Sequence, residues 1–116
     1  MLAIAAAFAT RAWAGEADVI DAKARRSAFD TFDFDVTVKS VDKGSSYYAD
    51  AIEVLAPDGK LLARRELLHP HEDEQPFTRG VYGVRIPVGI ELVLVRAHHS
   101  AKGYDGKMLP LKLPTR

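Results

Sequence analysis

Two histidine pairs, His69-Pro70-His71 and His98-His99, are the side chains of this sequence best suited to coordination or proton transfer. Imidazoles at i and i+2 in an extended stretch point the same way, and neutral imidazole is a good ligand for zinc or copper. Pro70 keeps His69 out of the α region, which favours that extended geometry. Glu72, Asp73 and Glu74 follow directly, where they can add a carboxylate oxygen or orient a ring from behind. On a strand, His98 and His99 would face opposite ways, so one of them at most joins His69 and His71. Three nitrogens with an open position would suit metal carriage or metal-assisted chemistry, and zinc and copper are the only cofactors indicated. The competing reading has His69 closing a strand, His71 solvated, and one of His98 and His99 hydrogen-bonded to a neighbouring loop.

Other reaction chemistry is poorly represented. The chain of 116 residues contains no cysteine, which removes disulfides, thiolate ligands and thiol nucleophiles together. Ser100 stands beside His99, but no nucleophile-elbow pattern surrounds it. Gly103-Tyr104-Asp105-Gly106 follows a strand and opens another, so it reads as a turn and not as a phosphate cradle. An enzyme is therefore the less favoured class. Contact chemistry is better represented: Tyr47, Tyr48, Phe77, Arg79 and Tyr104 are candidate partner contacts. Phe77 can alternatively fold back as a lid on the domain, and Arg79 can pair with the acidic run before it or with an anionic ligand.

The elements that must position these residues are strands. Phe32 to Lys39 alternates strictly, so Phe32, Phe34, Val36 and Val38 face a core. Ala49 to Ala56 and Lys60 to Leu68 flank Pro57-Asp58-Gly59 and predict a hairpin. Val81 to Ile86 and Ile90 to His98 flank Pro87-Val88-Gly89, a second reversal. Leu109, Leu111 and Leu113 mark a last strand whose outward Pro110 suggests an edge, and Asp18 to Arg26 reads as a first strand or a short helix. About seven short strands with frequent turn signals predict an all-β fold, an antiparallel immunoglobulin-like β-sandwich, with a small barrel as the alternative. Because antiparallel neighbours reverse at each turn, the segments Val41 to Tyr48, His69 to Arg79 and His99 to Gly106 must share one rim. All four histidines fall there.

Residues Met1 to Ala14 are a different material, apolar throughout except for Thr10 and Arg11. The stretch is shorter than the roughly 20 residues a helix needs to cross a bilayer. Ala12-Trp13-Ala14 before Gly15 has the small-x-small pattern of a signal-peptidase site. Residues 1–14 thus read as a signal peptide and 15–116 as one β-sandwich domain, periplasmic or secreted, with no membrane span after processing. Sixteen basic and sixteen acidic residues balance, and they form no basic stripe, which argues against nucleic acid as a partner.

The stretch from Tyr48 to Gly89, with its HPHEDEQPFTR loop, and the later VRAHHSAKGYDGK resemble a family of small, mostly uncharacterised exported bacterial proteins. That resemblance covers most of the mature chain and carries no activity with it. A fainter one is to the sandwich of superoxide reductases, also called desulfoferrodoxins, where a His-Pro segment and a late His loop flank iron. The cysteine that ligates that iron is absent here. A likeness to the sulfur-carrier-binding proteins of thiosulfate oxidation is one of architecture alone. Together these features predict an exported, non-catalytic binding domain whose partner, a protein or a small ligand, meets the loop rim. The alternative is a periplasmic zinc- or copper-binding protein built on His69, His71 and one of His98 and His99.

Overall fold

The computed structural model describes residues 15–115, so the expected signal peptide lies outside the described residues. Seven strands follow one another: β1 (Ala17–Arg26), β2 (Thr31–Ser40), β3 (Ala49–Leu55), β4 (Leu61–Glu66), β5 (Phe77–Arg85), β6 (Leu92–His99) and β7 (Leu109–Lys112). They form two antiparallel sheets, ordered β1-β2-β5 and β4-β3-β6-β7. In immunoglobulin lettering these are sheets A-B-E and C′-C-F-G. The expected sandwich is present, and the segment from Asp18 to Arg26 is a strand.

The core lies between the sheets, and alternation in the sequence explains who enters it. Phe32, Phe34, Val36 and Val38 of β2 are buried as their period-2 spacing requires, facing Ile52 and Val54 of β3 and Val93 and Val95 of β6. The β3–β4 hairpin turns at Gly59, whose φ of 94° lies in the left-handed region that glycine enters freely. β7 is a sheet edge, as Pro110 implied.

Two details differ from expectation. β5 begins at Phe77 and not at Val81, because Phe77 pairs with Val38 and enters the core. Thr78 is exposed and Arg79 half-buried beside the Phe77 ring, and these two polar residues made the segment look like loop. The reversal at Pro87-Val88-Gly89 joins strands of different sheets, so it is an arch and not a hairpin.

One end of the sandwich gathers the long connections. The Ser40 amide donates to Gln75 Oε1 at 2.9 Å, His99 Nε2 donates to the Val41 carbonyl at 2.9 Å, and the Ser100 amide donates to the Tyr48 carbonyl at 2.8 Å. The start of the domain joins them there. The Val41 amide donates to Glu16 O at 2.9 Å and Tyr47 Oη donates to Glu16 Oε1 at 2.6 Å. Gly106 sits so close to β1 that a Cβ on it would fall 1.7 Å from the Ala17 carbonyl oxygen.

Candidate functional site

The His69–Phe77 loop is held from three sides. Asp42 is one hub: its Oδ2 accepts the His71 amide at 2.7 Å, and its Oδ1 accepts the Ser40 hydroxyl at 2.8 Å and the Ala49 amide at 3.1 Å. Gln75 is a second, donating through Nε2 to the His71 carbonyl at 2.9 Å and to Ser40 Oγ at 3.1 Å. The third is apolar: the His71 ring stacks on Phe77, with centroids 4.0 Å apart and planes 11° from parallel. The Gln75–Pro76 peptide is cis.

This scaffold puts His71 in an unusual position. The residue is 6% exposed, where a solvated imidazole was the competing expectation, and neither ring nitrogen has a hydrogen-bond partner. Polar atoms buried in this way normally find one. Burial first, then the nearby charges of Arg79 and His69, hold the His71 pKa below the ordinary value, against an opposing pull from Asp42 and Glu74. The His69 ring lies 4.8 Å away, tilted by 41°. An open concavity of about 430 Å³ is lined by the run His69 to Glu74 together with Arg79. Arg79 Nη2 pairs with Glu74 at 3.2 Å, so its charge is drawn to the acidic run, and its guanidinium carbon lies 5.6 Å from the Phe77 ring centre. Leu68, next to His69, is 85% exposed.

The four histidines do not converge. His99 is fully buried; its Nε2 donates to Val41 O, and its Nδ1 accepts the Ala101 and Lys102 amides at 3.1 and 3.3 Å. Both nitrogens are engaged, so this ring clamps two rim loops together, and Tyr47 meets it edge-on at 4.5 Å. His98 alternates to the outer face of the sheet, where Nδ1 donates to Asp50 Oδ1 at 2.5 Å. Asp50 would follow Ile52 inward by strict alternation, but the register shift between Ala49 and Ala51 re-aims it. Among the described residues no three His, Asp or Glu side chains are already grouped as a ligand set.

The proposed contact residues also separate. Phe77 is 1% exposed and belongs to the core, which takes it out of the surface set and leaves its lid role. Tyr47 and Tyr48 stay on the rim, half-buried, with the Tyr47 hydroxyl bound to Glu16. Tyr104 turns onto the outer face of the four-stranded sheet. There its hydroxyl donates to Glu53 Oε2 at 2.9 Å, and its ring carries the Arg96 guanidinium at 3.8 Å and the His98 ring edge-on at 4.7 Å.

That outer face holds a charged cluster absent from the sequence reading. Glu53, 2% exposed, accepts hydrogen bonds from Arg64, Arg96 and Tyr104. Burial alone would raise its pKa, but the hydrogen bonds from Tyr104, Arg96 and Arg64 outweigh it and keep the carboxyl below its ordinary value. The signal was available in part: Glu53 interrupts an apolar run, and the arginines stand directly across from it in register. Asp42, Ser40 and Gln75 gave no such signal.

Neither a family model nor a solved structure matches the chain. It is 37% identical over 94 residues to a protein of Halomicrobium mukohataei described as "Putative lipoprotein", an alignment that covers 81% of this chain and 46% of that protein. The chain therefore spans about half the length of the relative it matches. Among the described residues no helix is long and apolar enough to cross a membrane. The chain is thus similar, over most of its length, to part of a protein described as a lipoprotein.

Proposed function

We propose that this protein is an exported, non-catalytic binding domain that engages a protein or small ligand through the loops at one end of its sandwich. The observation that carries this reading is His71: a buried imidazole with two unmet nitrogens, lining an open concavity in a loop that Asp42, Gln75 and Phe77 hold rigid. Rigid loops on a sheet scaffold are the usual place for recognition, because little order remains to be imposed on binding. Ser100 adds to that scaffold, its Oγ accepting the Tyr48 amide at 3.0 Å across two segments of the rim. Export is supported by Ala12-Trp13-Ala14 and by the description of the relative as a lipoprotein.

The two ends of the molecule allow an internal control. Leu68 stands 85% exposed on the rim, and Val88 stands 68% exposed at the opposite end. A photo-reactive residue placed at each position in the producing cell should give discrete adducts from position 68 and none from position 88. Absence of adducts at 68, or the same adducts from both ends, would refute a rim-directed partner.

A further inference from the structure

We infer that His69 and His71 form a two-imidazole site for a divalent ion of the zinc class, excluding His98 and His99; this rests on the rim reading above and names its ligand. The ring spacing is the first support. With zinc–nitrogen bonds of about 2.0–2.1 Å and a nitrogen about 1.1 Å from its ring centre, each centroid would stand about 3.2 Å from a shared ion. Two centroids 4.8 Å apart then subtend about 100° at that ion, close to the tetrahedral angle. The centroid spacing fits a shared ion.

The state of each ring is the second support. A carbonyl can only accept, so the 3.1 Å contact between His69 Nδ1 and the Pro70 oxygen places the proton on Nδ1 and leaves Nε2 as a lone pair. Metal-binding histidines are commonly oriented in this way, by a backbone carbonyl on the other nitrogen. His71 offers two buried nitrogens with no partner at all, and its ring is fixed by the Phe77 stack and by Asp42 on its amide. Glu72 and Asp73 are exposed on the same concavity and supply oxygen ligands, with water for any remaining position. Arg79 opposes a cation here, and its 3.2 Å pair with Glu74 offsets part of that charge. Because no third residue is preassembled, the site keeps open positions and exchanges its ion more readily than a closed four-residue site.

The test uses the full chain purified without a histidine tag, titrated with zinc alone by calorimetry and by thermal denaturation. One zinc per chain should bind and raise the melting temperature, since a ligand that prefers the native state must do so. His69→Gln, at an exposed position, should fold normally and bind at least tenfold more weakly. His71→Phe keeps a ring on Phe77 and should lose binding likewise, whereas His98→Gln should bind as the parent does. The site is refuted by the absence of saturable zinc, by undiminished binding in His69→Gln, or by loss confined to His98→Gln. Position-68 adducts without zinc binding would remove the ion and leave the rim reading standing. Zinc binding without adducts would do the reverse for a macromolecular partner.

Discussion

Protonating His71 would place a cation beside Arg79 in a space that offers its ring no acceptor. Since its folded pKa lies below the ordinary value of 6.5, the unfolded chain binds the extra proton first as the pH falls. Stability should therefore be complete above about pH 7 and decline as the pH drops through about 6.5. Melting temperatures between pH 7.5 and 5.5 should show that slope, and His71→Phe should flatten it; an equal slope in the variant would contradict the assignment. The histidines were legible in the sequence as residues and as neighbours of one rim, but not as four different environments. What sorts them is non-local: Asp42 on the His71 amide, Val41 on His99, Asp50 on His98. Glu53 escaped notice for the same reason. A lone acid in a strand reads as a wet face until two arginines from neighbouring strands are known to cover it.

Strands were the most legible level, because period-2 alternation is written locally. β2 shows it outright, and proline with glycine punctuates the β3–β4 turn. The β5 start failed because one buried aromatic, Phe77, is followed by two polar residues and a glycine before the apolar pattern resumes. Sheet membership was not readable either, since an arch and a hairpin share the same turn residues. The junction of β1 with the loop before β7 depends on close backbone approach at Gly106. Gly106→Ala should drive a methyl group into the Ala17 carbonyl, part that loop from the strand, and cost roughly 2–3 kcal/mol in urea denaturation. A loss below about 0.5 kcal/mol would show that the junction yields.

At the scale of the whole molecule, the sandwich assigns different work to its two ends and its outer face. The face of the four-stranded sheet carries a hydrogen-bonded cluster in which Arg64 and Arg96 meet Glu53 and Arg64 also pairs with Glu66, while the rim keeps polar atoms without partners. The first described residues sit on that rim: the Gly15 nitrogen lies 3.0 Å from Asp18 Oδ1, and Asp18 also receives the Lys107 amide at 2.7 Å. Protein recovered from the exported fraction of the producing cell should begin at Gly15, and a retained Met1 there would overturn processing after Ala14. Cleavage at that bond would turn a neutral amide into an ammonium group already seated against the buried Asp18 carboxylate, a charge-assisted bond in place of an ordinary one.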